Sequence, residues 1–359
     1  MSYSQRFSPN YTVARERFRV SIASLGYSHE AYSINQVSPS GEDLTIDVAI
    51  ANCSNPQRVI VLSSGLHGIE GFLGSAIQLA LLQEHRLITA LPANTKLILI
   101  HALNPYGYAW QRRWNEDNVD LNRNFLLPNE AYEGSPKDYP KLNSFLNPTS
   151  PPSQLEPFLL KAIWLILRYG MTSLKNTLPV GQYDYPKGLF FGGHTPSKTQ
   201  QILSANLPRW IGNASEVIHV DFHTGLGRWG TYKLLLDGYN TSENINKLAR
   251  QFGAEAIQTF SPEGVAYKIR GGLGAWCQGL LPHCHYNFLT AEFGTYSVIQ
   301  VVKALRAENR AHWWAKPEQN YDWTKQQILE MFAPKNKQWR EQSVTKGLEI
   351  CQQACFGNL

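Results

Sequence analysis

After the apolar run Val59-Ile60-Val61-Leu62 the chain reads Ser63-Ser64-Gly65-Leu66-His67-Gly68-Ile69-Glu70-Gly71. The glycines are enough to make a turn; an imidazole and a carboxylate three residues apart inside it add nothing to turn formation. They are, however, two donors that a divalent cation takes. A second imidazole, His223, follows another apolar run in Glu216-Val217-Ile218-His219-Val220-Asp221-Phe222-His223-Thr224-Gly225. Two imidazoles and one carboxylate, with a fourth position left open, form the ligand set of a catalytic zinc. Zinc held in this way lowers the pKa of its bound water to roughly 7 and polarises a carbonyl. Hydrolysis of an amide is the chemistry these residue types imply.

Hydrolysis needs further groups. A carboxylate near the metal but not bound to it takes the proton of the attacking water and later delivers it to the leaving amine. Glu292, in Thr290-Ala291-Glu292-Phe293-Gly294, is the candidate. The developing oxyanion calls for a cation, which the adjacent Arg112 and Arg113 offer. A metal-binding imidazole usually gives its other N–H to a carboxylate, and Asp120 and Asp221 are both candidates for that part.

The elements that must position these residues can be read from the apolar pattern. Runs rich in β-branched residues predict strands at Thr45–Ile50, Val59–Ser63, Lys96–Ala102, Glu216–Phe222, Tyr232–Asp237 and Asn287–Glu292. Helical patterns predict helices at Gly71–Glu84, about 155–175 and Ser242–Phe252, and two or three more from Ser297 to the C-terminus. Strands alternating with helices predict a three-layer α/β/α sandwich on a twisted mixed sheet, with its central strands apolar on both faces. The chain reads as one catalytic domain over 1–359, with an insertion at about 126–200 rich in Pro, Asn and Ser. In open α/β sheets, sites form beyond the carboxyl ends of the strands. The segments carrying His67, Asn104, His223 and Glu292 all follow or end such strands, so one crevice can collect them.

His67-Gly68-Ile69-Glu70, Asn104-Pro105-Tyr106-Gly107, the run "RRWNEDNVDLNRNF" (Arg112 to Phe125), Asp221-Phe222-His223-Thr224-Gly225 and Thr290-Ala291-Glu292-Phe293-Gly294 occur in that order. Together they resemble the zinc carboxypeptidase (M14-like) family over about 45–125 and 215–300, with "VDLNRNF" the most specific element. "NEDNVDLNRNF" and "YPKGLFFGG" resemble its bacterial DUF2817-type branch, related to the succinylglutamate desuccinylases and aspartoacylases. The resemblance implies zinc ligands His67, Glu70 and His223, with Glu292 as general base and then acid. Arg113 would stabilise the oxyanion, with Arg112 the alternative at this spacing, and Asp120 would be the partner of His67. Asn122 and Arg123 would hold a terminal carboxylate of the substrate. Family members carry a mobile tyrosine upstream of the catalytic glutamate, and Tyr267 lies in that region, as does Arg270. The motif Asn-Pro-Asp-Gly of the family reads Asn104-Pro105-Tyr106-Gly107 here, a change in a turn that leaves the chemistry alone.

One zinc ion is expected, with His194, His219 and Asp221 as the residues that would hold a second. The substrate expected is a peptide or an N-acyl amino acid with a free carboxylate. A metallocarboxypeptidase is the first reading, an aspartoacylase- or desuccinylase-like amidohydrolase the second, and a non-catalytic binding protein on a peptidase scaffold the third.

Other signals in the sequence point elsewhere or nowhere. Gly225-Leu226-Gly227-Arg228-Trp229-Gly230 fits the dinucleotide fingerprint G-x-G-x-x-G, but a strand rather than a helix follows it. His29-Glu30 opens no H-E-x-x-H site, because position 33 is Ser. A net charge of +5 without a Lys/Arg block argues against nucleic acid as a partner. The first eighteen residues lack the apolar stretch of a secretory signal, and the most apolar helical pattern is too short to span a bilayer. Five cysteines, an odd and thinly spread set, suit a reducing compartment, so a cytoplasmic location without membrane attachment is expected.

Overall fold

The β-branched runs pair into a single sheet of eight strands in the computed structural model, ordered β1-β2-β4-β3-β5-β8-β6-β7. The model describes residues 2–357 except 52, 85–89, 171–176, 178 and 260–268. The strands are β1 (Ser28–Val37), β2 (Asp43–Ile50), β3 (Arg58–Ser64), β4 (Thr95–His101), β5 (Glu216–Thr224), β6 (Tyr232–Leu236), β7 (Ile257–Gln258) and β8 (His285–Phe293). The helices are α1 (Tyr11–Ser24), α2 (Gly71–Gln83), α3 (Pro105–Ala109), α4 (Tyr139–Leu146), α5 (Phe158–Tyr169), α6 (Lys198–Ile211), α7 (Ser242–Phe252), α8 (Leu273–Leu280), α9 (Val298–Trp314), α10 (Asp322–Phe332) and α11 (Lys337–Phe356).

The inner strands β4, β3, β5 and β8 run parallel, and antiparallel pairs flank them at β1–β2–β4 and β8–β6. The sheet is therefore mixed. β3 and β5 are buried along nearly their whole length, as strands covered on both faces must be. The two faces can be told apart at β5. Gly74 of α2 sits against Ser64 and Phe222. Gly274 of α8 sits against Phe288, the register partner of His219, which points to the opposite face from Phe222 because side chains alternate along a strand. Helices thus lie on both faces, giving three layers.

α2 follows directly from the turn that carries His67 and Glu70, and its residues from Gly71 to Leu82 are all buried. A helix apolar on every side belongs inside a protein; α1 and α11 pack over it. β1 escapes the sequence reading because it is an edge strand with a mostly exposed, polar sequence, SHEAYSINQV, and a register shift between Ser33 and Val37. The tail from Ser297 forms three helices, the first opened by a capping box in which Ser297 and Gln300 satisfy each other's backbone N–H groups. Among the described residues, no helix is long and apolar enough to cross a membrane.

Candidate metal centre

β3 ends at Ser64, and the next turn is held from outside by the loop that follows α3. The N–H groups of Gly68 and Ile69 donate to the carbonyls of Arg113 (3.1 Å) and Arg112 (2.8 Å). Gly68 lies so close to Gly107 that a Cβ would fall 2.1 Å from the Gly107 carbonyl carbon, so only glycine fits there. Asn104 caps α3, its Oδ1 accepting from Gly107 N at 2.8 Å while its Nδ2 donates to Arg113 O at 3.2 Å. Tyr106 takes no part in these bonds, so the turn keeps its function with tyrosine in the third position of Asn-Pro-Tyr-Gly.

This framework brings His67, Glu70 and His223 together, all buried, with one ligand atom from each lying within 4.8 Å of the others. Nδ1 of His67 is 2.9 Å from Glu70 Oε1, Nδ1 of His223 is 3.0 Å from Glu70 Oε2, and the two Nδ1 atoms are 3.2 Å apart. The outward Nε2 atoms meet carboxylates: His223 Nε2 lies 2.6 Å from Asp221 Oδ2, and His67 Nε2 lies 3.2 Å from Asp120 Oδ1. Among the described residues this is the one such group of potential ligands.

A cation fits the arrangement on two counts. The donor set is the nitrogen and oxygen set that zinc takes. Asp120 Oδ1 is also buried without a hydrogen-bond partner. With the His67 Nδ1 lone pair given to a cation, the ring proton sits on Nε2, where it faces that oxygen 3.2 Å away; the Arg113 Nη2 that stands 2.7 Å from Nε2 in this structure would then turn from it, since both would be donors.

The electrostatics follow from burial and contact. Burial works against the Glu70 carboxylate, but the two imidazoles hold it well below the usual carboxylate range. Burial would lower the His223 imidazolium, and the carboxylates of Asp221 and Glu70 overcome this and hold it well above its ordinary value. Asp120 is likewise held low, by Arg113 and His67 against the cost of burial. Glu292 goes the other way: burial, and then the charge of Glu70, push it up to about 7.

Glu292 stands directly beside His223, as its register partner on the neighbouring parallel strand. Its Oε1 accepts from Leu226 N at 2.8 Å. Arg113 borders the same group, with Nη1 3.3 Å from Glu70 Oε1, Nη2 2.7 Å from His67 Nε2 and Nε 2.9 Å from Asp120 Oδ2. Arg112 turns elsewhere. Its guanidinium donates to Glu308, Asn118 and Asn309 and lies over Trp114, in a network that ties the loop to α9.

Asn122 and Arg123 follow Asp120 in the same short turn. Asn122 Oδ1 accepts from Leu273 N at 3.2 Å. Arg123 is fully buried; its Nε donates to Pro179 O at 2.7 Å, and Gly181 rests on its side chain. Tyr267 lies outside the described residues. His194 packs edge-on against Phe191. His219 and Asp221 are joined through Ser63, which bonds both (2.7 and 2.6 Å), and His219 continues to the Tyr286 hydroxyl at 2.8 Å.

The length of the insertion already suggests that it roofs the cleft; which of its residues meet the centre escapes the sequence reading. The insertion reaches the centre: Phe190, with φ of 60°, lies under the Arg113 guanidinium at 5.8 Å, and Phe191 O accepts from Asp120 N at 2.7 Å. Asn124 clamps that segment, donating to Gly192 O and Thr195 O and accepting from Ser197 N. The signal available was the segment "YPKGLFFGG" itself, which gives no hint of which distant loop it meets.

The sequence matches, over residues 7–346, the family model described as "Protein of unknown function (DUF2817)". No curated protein matches it. Among solved structures, the chain is similar to carboxypeptidase A from Helicoverpa armigera (13% identity, TM-score 0.48, covering 97% of this chain and 74% of that one). It is also similar to the metallo-carboxypeptidase from Pseudomonas aeruginosa (13%, 0.41, 94% and 69%) and to murein-tripeptide amidase MpaA from Escherichia coli O157 (19%, 0.37, 81% and 93%). With nearly its whole length matched by that one model, the chain belongs to the DUF2817 family.

Proposed function

We propose that this protein is a zinc-dependent hydrolase of the metallocarboxypeptidase type, which cleaves an amide bond next to a free carboxylate. The observation that carries the reading is the convergence of the His67 and His223 Nδ1 atoms on the Glu70 carboxylate, with a buried aspartate behind each ring. His67, Glu70 and His223 would hold the ion, which when bound supplies Lewis-acid activation of water and of the scissile carbonyl.

The chain's own residues supply the rest. Glu292 accepts the proton of the attacking water and returns it to the leaving nitrogen. Burial beside Glu70 raises its affinity for a proton above that of a free carboxylate, which suits both halves of that task. Arg113, fixed by Asp120, presents positive charge where the carbonyl oxygen becomes negative. Asp221 holds His223 in the tautomer that leaves Nδ1 free for the ion, and Asp120 would do the same for His67 once Arg113 Nη2 turns from its Nε2.

One observation favours the small-molecule form of this chemistry. Arg123, proposed with the half-buried Asn122 for the substrate carboxylate, is enclosed by the segment around Pro179 and Gly181, while Asn122 is tied to the start of α8. An enclosed anchor suits an N-acyl amino acid better than a polypeptide end, as in the aspartoacylase and desuccinylase reading.

The test is hydrolysis by zinc-loaded protein of a peptide series with free or amidated C-termini, alongside small N-acyl amino acids. Glu292→Gln is the control, expected to lower kcat by about 10²–10⁴-fold. Release of the last residue from free-ended peptides alone supports the carboxypeptidase. Cleavage confined to N-acyl amino acids supports the deacylase. Full activity in Glu292→Gln, or no hydrolysis of either class, overturns the proposal.

A further inference from the structure

α5 lies in the insertion, away from the metal centre, and reads Phe-Leu-Leu-Lys-Ala-Ile-Trp-Leu-Ile-Leu-Arg-Tyr. Its inner face is already used: Phe158, Ala162 and Leu165 are buried, and Ile166 and Tyr169 pack partly against the core. A second apolar stripe remains on the outside. Leu159, Leu160, Ile163, Trp164 and Leu167, with Leu155 just before the helix, are 51% to 93% exposed.

The helix is not free to roll this stripe inwards. Glu156, immediately before it, is gripped by Arg306 and Arg310 of α9 and by Lys161. A helix apolar all round is normally covered on all sides. At these exposures, the six side chains present roughly 800 Å² of apolar surface, above the 300–600 Å² of the largest patch on a typical monomer.

We propose that this face pairs with the same face of a second copy of the chain, so that the protein is a two-fold symmetric dimer built on α5. The area is the first argument: the whole patch, with Leu155 and Leu159 at the rim of the seam, matches the ~800 Å² per partner that a standard stable interface buries. The spacing is the second. Residues 160, 163, 164 and 167 form a continuous strip along a helix about 18 Å long. In an antiparallel pair with its axis between Ile163 and Trp164, Leu160 of each copy meets Leu167 of the other, the self-complementary contact that two-fold symmetry requires.

Charge is the third argument. A helix that binds anionic membrane surface carries rows of Lys and Arg beside its apolar face. Here the helix has Lys161 and Arg168, and Lys161 is tied to Glu156 at 2.8 Å. Little cationic charge is left for lipid headgroups, and none crosses the strip.

The test is the mass of the full chain in solution by sedimentation and light scattering across the micromolar range. The expected result is twice the chain mass of 40.6 kDa. The double variant Leu160→Glu/Leu167→Glu should sediment as a monomer with unchanged circular dichroism, its dimerisation weakened at least about 100-fold by burying charges without partners. Val20→Glu, an exposed position on α1, should leave the dimer intact. Should the double variant fail to fold, Trp164→Cys gives a second reading: mild oxidation should link two chains through residues beside the two-fold axis, while Val20→Cys should not. A wild-type monomer at every concentration overturns the proposal, as does a dimer that survives the double variant or the absence of cross-linking in Trp164→Cys. Flotation of a monomeric wild type with phosphatidylcholine vesicles, lost in the double variant, also overturns it and assigns the face to lipid.

Discussion

Asp120 faces two neighbours at once: its Oδ2 accepts from Arg113 Nε at 2.9 Å, and its Oδ1 lies 3.2 Å from His67 Nε2. Removing its charge while keeping its shape should loosen both the imidazole tautomer and the arginine. Asp120→Asn is expected to weaken zinc binding by about 10–100-fold, as for other partners of metal-bound histidines. Competition with a chromogenic chelator measures this, and an unchanged affinity would remove Asp120 from the centre. Arg112 and Arg113 show what single residues conceal from a sequence reading. Adjacent in the chain, both positively charged and both buried, they part because the backbone between them is pinned to the Gly68-Ile69 turn. One guanidinium goes to Glu70 and Asp120, the other to Glu308. Spacing alone leaves that choice open.

Among the elements, the two loops that meet at Gly68 and Gly107 set the position of the ligands. A methyl group on Gly68 would have to displace backbone rather than a flexible side chain. Gly68→Ala is therefore expected to cost about 1–3 kcal/mol of stability, as overpacking does, and to weaken metal binding because His67 and Glu70 sit on either side of the displaced turn. Thermal melts with and without zinc check both parts; a variant with the wild-type melt and zinc shift would contradict the account of this turn. The strands that carry the ligands were legible because they are long, β-branched and buried: the expected Val59–Ser63 and Glu216–Phe222 lie within β3 and β5. β1 was not, because an exposed edge strand needs no apolar pattern. The approach of Phe190 to Arg113 was illegible for another reason. It joins residues from separate loops, and no local periodicity encodes such a contact.

At the scale of the whole molecule, buried neutral histidines make stability depend on pH. His101, stacked on Phe18 and bonded to Ser75, and His219, bonded to Ser63 and Tyr286, are both fully enclosed. Burial lowers each to about 4 from 6.5. Above pH 6.5 the rings are neutral in both folded and unfolded chains. Below it the unfolded chain takes up protons that the folded chain refuses until about pH 4, so stability falls as the pH drops through this window. Glu292 and His223, held above their ordinary values, carry protons in the folded chain that the unfolded chain binds only at lower pH, and so oppose this loss. The share of each histidine is therefore read from a variant rather than from the net slope. Urea unfolding of metal-free protein at pH 7, 6 and 5 checks it: between pH 7 and 5 His101→Gln should lose less stability, or gain more, than the wild type, by about 1–2 kcal/mol; the same pH dependence in both would contradict the assignment to His101. The layered architecture, with a mixed sheet and helices on both faces, was expected from alternating strand and helix patterns. The exposed face of α5 shows no such legibility, because an apolar helix sequence does not say which of its sides the fold will cover.

The most direct test of the central claim is a zinc titration by calorimetry, with metal content measured on the same samples, for the wild type and for His67→Ala, Glu70→Gln and His223→Ala. The account expects one zinc ion per chain in the wild type and loss of tight binding in each variant, with circular dichroism unchanged. A wild type that binds no zinc, or folded variants that bind it as well as the wild type, would contradict it.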